Sequence, residues 1–141
     1  VKLRKSQRYY IYARDGKRCR YCDRPITFKQ MTVDHLYPRG RGGATEVFNL
    51  VACCRHCNKE KHDRIPPDAE KTQIELFQKA VADGIILPDK SKIKEWEPDT
   101  IASVDTMYAA GDGTVFEGGG YRYLVRRHRI VQVVRFHVHG D

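Results

Sequence analysis

Two C-x-x-C pairs, Cys19/Cys22 and Cys54/Cys57, flank an Asp34-His35 dipeptide, and Asn58 follows the last cysteine directly. Each two-residue gap lets both thiolates of a pair turn toward one point while backbone amides face the sulfurs, an arrangement suited to tetrahedral zinc. Asp34 offers a hard anionic oxygen and Asn58 a neutral carbonyl oxygen, the donors that Mg2+ or Mn2+ would choose over zinc. His35 brings an imidazole whose ordinary pKa of about 6.5 lets it accept a proton near neutrality. A soft donor set and a hard one are therefore interleaved in one stretch of chain.

The elements that must position these groups can be read around them. Ser6 is the expected N-cap of a helix through Tyr9, Tyr10 and Ala13, with Gly16 as its stop. Met31-Thr32-Val33 favours a strand, which puts Asp34 and His35 at a strand end. Adjacent residues on a strand point to opposite faces, so both can serve one substrate only where the strand finishes. Leu36 to Ala44, with Pro38 and glycines at 40, 42 and 43, is expected to be loop. Val47, Leu50, Val51 and Cys54 have helical spacing, and Asn58 to Arg64 is expected to be helix up to the stop at Pro66-Pro67. Beyond it, Asp68 to Asp83 forms an amphipathic pattern ended by Gly84, in acidic surroundings that argue against a direct DNA role. Val115-Phe116, Tyr121 to Val125 and Ile130 to Val138, joined by Gly118-Gly119-Gly120 and Arg126 to Arg129, are expected to form an antiparallel meander.

Cysteine usage argues for metal thiolates in a reducing, cytoplasmic compartment rather than for a disulfide framework. Cys53 is the fifth cysteine; it offers an alternative to Cys54, but Cys53-to-Cys57 spacing has one residue too many, and a small buried hydrophobe is the simpler role. No apolar run approaches the ~20 residues needed to span a bilayer, and no secretory signal is visible. The formal charge of +8 is unevenly spread. Residues 1–65 hold 16 Lys/Arg against 6 Asp/Glu, residues 66–120 hold 5 against 11, and residues 121–141 hold 5 against 1. Clustered positive charge at both ends is suited to a polyanion. The expected division is a site-bearing domain over 1–65 and an accessory helix plus β-rich region over 66–141.

Taken together, Val33-Asp34-His35, Pro38, Gly42-Gly43, Asn49-Leu50, the Cys54/Cys57 pair and Asn58-x-x-Lys61 resemble the HNH endonuclease family across roughly residues 14–61. Asn58 stands where the family name has its last histidine, an H-N-N variation. The resemblance implies an α+β fold with a ββα-metal core clasping one catalytic divalent cation, and a four-cysteine zinc site acting only as a clip. It also implies that Asn49 ties down the loop so that the His35 ring keeps its orientation, a supporting role.

The implied function is metal-dependent hydrolysis of DNA phosphodiester bonds, with His35 activating water, Asp34 and Asn58 holding Mg2+ or Mn2+, and products bearing 5′-phosphate and 3′-hydroxyl ends. Arg39 and Arg41 in the glycine-bearing loop, and Lys61 one turn after Asn58, are candidates for phosphate contacts, with solvated surface charge as the alternative for each. Double-stranded DNA is the expected partner; a double-strand cut by a single-site domain needs two copies or two visits, which admits a homodimer. His56 and His62 lie near enough in sequence to be spare ligands, although four cysteines already complete a zinc site. Arg122, Arg126, Arg127, Arg129 and Arg135 admit a basic ribbon along DNA, with Tyr121 and Tyr123 equally explained by sheet packing, while His137 and His139 suit an exposed strand face. A non-catalytic zinc-stapled DNA-binding module would use the cysteines and the basic surface but not Asp34, His35 and Asn58 in this register. An RNA-directed nuclease is the third reading.

Overall fold

The computed structural model describes residues 3–136. The chain divides into two compact units, 1–69 and 70–141.

Unit 1 opens with α1 (Lys5–Arg14). Its N-cap is Arg4 rather than Ser6, because the Gln7 side chain reaches back and its Oε1 accepts the Arg4 amide at 2.9 Å. Ser6 consequently lies inside the first turn. The helix stops where the sequence indicated: Gly16 has φ 73, its amide donates to the Ala13 carbonyl, and the Lys17 amide donates to the Tyr12 carbonyl. That pairing satisfies carbonyls the ended helix leaves open. Ile11 and Tyr12 are buried, and the Tyr12 hydroxyl donates to the Ile26 carbonyl at 2.7 Å.

Two short strands follow, β1 (Thr32–His35) and β2 (Leu50–Cys53), antiparallel, with Asp34 opposite Val51 and His35 opposite Leu50. The helical spacing read over Val47 to Cys54 is not a helix. One 3-10 turn (Val47–Asn49) leads into β2, all four residues of which are buried. A short apolar run buried on both faces carries no periodicity, so spacing alone could not separate the two structures. The loop after β1 contains one 3-10 turn, Arg39–Arg41. Helix α2 (Arg55–Lys61) then completes a ββα order; it begins three residues earlier than expected because Cys54 serves as N-cap, its sulfur accepting the Cys57 amide at 3.4 Å.

Unit 2 contains α3 (Ala69–Ala82), apart from its first residue, and a five-stranded sheet. The strands are β3 (Leu87–Pro88), β4 (Thr106–Ala110), β5 (Gly113–Gly118), β6 (Tyr121–Arg126) and β7 (Arg129–Arg135), in the order β3-β7-β6-β5-β4. The expected meander is the β5-β6-β7 part. The sequence reading missed β4, an edge strand of mostly exposed residues, and β3, two residues paired in parallel with β7. Val138, His137 and His139 lie outside the described residues. Gly119 and Gly120 (φ 59 and 85) make the two-residue turn between β5 and β6, a backbone sense that matches strand twist and suits glycine. Phe77 of α3 stacks on Phe116 of β5 with ring centroids 3.8 Å apart and planes 5° from parallel, and both side chains are fully buried. Among the described residues no helix is long and apolar enough to cross a membrane. The architecture as a whole is α+β.

Phe77→Ala should destabilise unit 2 by about 3–5 kcal/mol, the usual result of emptying a buried aromatic site. Trp96, the single tryptophan, packs edge-on against Tyr123 within the same unit, so its fluorescence during urea unfolding reports the loss.

Candidate functional site

The four cysteines of the two pairs converge, their sulfurs all within 4.8 Å of one another. Cys22 and Cys54 Sγ are 3.9 Å apart. A tetrahedron with zinc–sulfur bonds of about 2.3 Å has sulfur edges of about 3.8 Å, so the donors present fit the ion in number, type and spacing. Burial raises the Cys19 thiol, but backbone amides of Cys22, Cys54 and Tyr21 outweigh it and bring the thiol down to about 7. Amides aimed at sulfur favour the thiolate that binds metal. Cys53 is outside the cluster: its Sγ meets Thr32 Oγ1 at 3.2 Å, and burial pushes its thiol up to about 12. The other weighed ligands also stay out, His56 being exposed with Nε2 3.9 Å from Glu60 and His62 being exposed at the end of α2.

Asp34 and Thr32, two apart on β1, lie on one face of the strand, and α2 covers that face. Asn58 Nδ2 donates to Thr32 Oγ1 at 3.2 Å, which leaves Oδ1 as the accepting end of the amide. Asp34 is only 7% exposed. Its Oδ2 accepts a 2.6 Å hydrogen bond from the Tyr21 hydroxyl and lies 3.1 Å from Lys61 Nζ. Lys61, read from the sequence as a candidate phosphate contact, is itself 7% exposed, and its ammonium also donates to the His35 carbonyl at 3.0 Å. Burial and then the Asp34 carboxylate push the Tyr21 phenol far up, so it stays a hydrogen-bond donor. Tyr21 belongs to the first cysteine pair, and the sulfur cluster and Asp34 are thus joined through one side chain.

His35 ends β1 and turns the other way. Its Nε2 is 3.0 Å from Thr45 Oγ1. Burial lowers its pKa first; Arg39 and Lys61 lower it further, against Asp34, and the net direction is toward the neutral ring. Asn49 is fully buried, accepts from the Tyr37 amide at 2.9 Å, and donates to the carbonyls of Tyr37 (3.1 Å) and Ala44 (2.8 Å). Three bonds from one amide thereby close the base of the loop that carries Thr45. Gly43 fits the same closure: a Cβ there would lie 1.8 Å from the Tyr37 carbonyl oxygen. Arg39 and Arg41 are exposed on the loop's 3-10 turn.

The fold thus gathers Asp34, Asn58 and Lys61 between β1 and α2, sets His35 at the strand end, and keeps Arg39 and Arg41 on an outer loop. Sequence reasoning missed Tyr21, Thr32 and Thr45. Tyr21 and Thr45 carry no spacing signal, since each meets its partner only through folding; the only signal for Thr32 was its place two residues before Asp34.

Cys54→Ala should abolish the binding of one zinc equivalent per chain, whereas Cys53→Ala should retain it. Release of zinc by a thiol-blocking mercurial, read with a metallochromic dye, checks both.

Comparison with known proteins agrees with this geometry. Residues 19–74 match the family model described as HNH endonuclease. Over 55 residues the chain is 44% identical to the CRISPR-associated endonuclease Cas9 of Corynebacterium diphtheriae, a span that is 38% of this chain and 5% of that protein. The chain therefore corresponds to a small part of that relative's length. The ββα order, the four-sulfur cluster and the family match thus fall on one segment, and residues 19–74 are similar to the HNH endonuclease family.

Proposed function

We propose that the protein is a metal-dependent endonuclease that hydrolyses phosphodiester bonds of double-stranded DNA. The observation that carries this is the junction of β1 with α2, where Asp34 is buried on one face of the strand, Asn58 is half-covered on the helix over that face, and His35 ends the same strand. In this reading His35 removes the proton from the attacking water. Its pKa, lowered by burial, keeps the ring in the neutral form that a base requires. Thr45 at Nε2 holds the ring plane, and Asn49 holds the loop that presents Thr45. Neither touches the reacting atoms.

Asp34 and Asn58 supply oxygen donors for Mg2+ or Mn2+, which when bound contributes Lewis-acid stabilisation of charge on the phosphoryl and leaving 3′ oxygens. Tyr21 and Lys61 both hold Oδ2 of the Asp34 carboxylate, so its orientation is fixed before substrate arrives. Arg39 and Arg41 meet phosphates from the loop, while Lys61 acts inward on Asp34 and on the His35 carbonyl. The products carry 5′-phosphate and 3′-hydroxyl ends, and zinc in the Cys19, Cys22, Cys54 and Cys57 site is a structural clip. A double-strand cut takes two copies of the chain or two visits by one.

Incubated with Mg2+, the protein should convert supercoiled plasmid to nicked and then linear forms. His35→Ala should lower the rate by about 10²–10⁴-fold while one zinc equivalent stays bound, the usual range for losing a general base. Thr45→Val should lower it by about tenfold, the smaller loss expected of a group that only orients the base. Equal rates for wild type and His35→Ala would refute the assigned base, and DNA binding without cleavage in any divalent metal would point to a binding module. Linear product growing with the square of protein concentration is the signature of two copies acting together.

A further inference from the structure

The cations of unit 1 differ in how the fold uses them. Arg14 and Arg20 pair with Asp15, Lys61 pairs with Asp34, and Arg18 and Arg64 donate to backbone carbonyls of Asp23 and Glu60. These are spent on the fold. Arg24, Lys29, Arg55 and Lys59 are all exposed, and among the described residues none of them makes an ion pair.

All four line one groove of about 860 Å³ between the segment that follows the first cysteine pair and helix α2. Among the described residues no aspartate or glutamate lines it. A second hollow of about 600 Å³ shares Thr32, Arg55 and Lys59 with the first and adds Asn58 and His62. The two hollows form one trench, with Arg24 and Lys29 toward one end and Asn58 toward the other. Arg55 and Lys59 are one helical turn apart on α2, so both project along its length.

Unpaired cations without a carboxylate among them produce a sustained positive potential, and a concave wall focuses it. A ligand carrying a single charge would use one or two of the four; a backbone with a charge on every residue uses them all. The trench also ends on Asn58, which the proposed function makes a donor to the divalent cation. We propose that this trench is the track for the phosphate backbone of the DNA strand that is cut, with Arg24, Lys29, Arg55 and Lys59 each facing a phosphate on the way to the site. The proposal rests on the nuclease reading for the identity of the polyanion. It names contacts distinct from Arg39 and Arg41, which belong to the loop after β1 and do not line the trench.

The test is binding of a fluorescein-labelled DNA duplex of about 20 base pairs, followed by anisotropy in Ca2+ between about 50 and 200 mM salt, where phosphate contacts govern the salt slope. The variant R24Q/K29Q/R55Q/K59Q should flatten the slope of log K against log salt by about 3–4, at about 0.9 per phosphate contact, and should weaken binding at least tenfold. The comparator K90Q/K92Q/K94Q, which removes three charges from unit 2, should leave the slope unchanged. Wild-type slope and affinity in the fourfold variant, or equal flattening by the comparator, would overturn the track. Should the fourfold variant lose its zinc equivalent, the single variants R24Q and K59Q carry the test, each expected to flatten the slope by about 0.9 and an unchanged slope in both overturning it.

Plasmid cleavage by wild type separates the two levels. Wild type that cuts DNA beside a fourfold variant that binds like wild type overturns the track alone. A fourfold variant with lost binding beside wild type that never cuts overturns the nuclease reading, and with it the cut strand as the occupant, while supporting the trench as a contact to the DNA backbone.

Discussion

A two-stranded sheet has two open edges and too little surface to stand alone, so the groups on its outer edge must find partners elsewhere. In unit 1 that constraint is met on β2 by three residues. Arg14 Nη2 donates to the Leu50 carbonyl at 2.6 Å, the Asp15 carboxylate accepts the Ala52 amide at 2.8 Å, and the Arg20 amide donates to the Ala52 carbonyl at 2.9 Å. Arg14 and Asp15 also pair with each other, each 1% exposed. Both partners of that buried pair also bond backbone, and Asp15 meets the Arg20 guanidinium besides, the condition under which burying charge is tolerable. The α1 terminus and the first cysteine segment therefore substitute for a third strand, and the position of β1, with Asp34 and His35 on it, follows from theirs.

The first cysteine segment serves two ends at once. Cys19 and Cys22 supply half of the sulfur cluster, while Tyr21 between them reaches Asp34. The second pair repeats the economy: Cys54 caps α2 and Cys57 begins its course toward Asn58 and Lys61. Each half of the clip is thus continuous with one side of the proposed cation site. Metal in the cluster would fix both sides relative to each other, which gives the clip a bearing on the proposed chemistry.

Much of this was legible because it is local. Two-residue gaps between cysteines, an Asp-His pair ending a β-favouring run, and glycines that forbid regular structure are statements about neighbours in sequence. Helix α1 was found but mis-started at Ser6, since the choice of N-cap turned on whether the Gln7 side chain folded back on Arg4. Val47 to Cys54 was assigned the wrong period because a strand buried on both faces looks like any apolar run. Lys61 was read as a candidate phosphate contact from its place one turn after Asn58, and only the packing of α2 on β1 shows it directed at Asp34. Thr45 and Tyr21 were invisible for the same reason: a hydroxyl announces its partner only once distant segments have met.

The loop between Leu36 and Asn49 has a consequence of its own. Asn49 fastens it at Tyr37 and Ala44, and Gly43 is pressed against the Tyr37 carbonyl, so the excursion from Arg39 to Gly42 hangs from a closed neck. Since the entropy of closing a loop grows only slowly with its length, the tip can gain residues without disturbing what lies below the neck. Evolution could therefore graft new elements there while leaving the strand register, and the proposed base it carries, as they are.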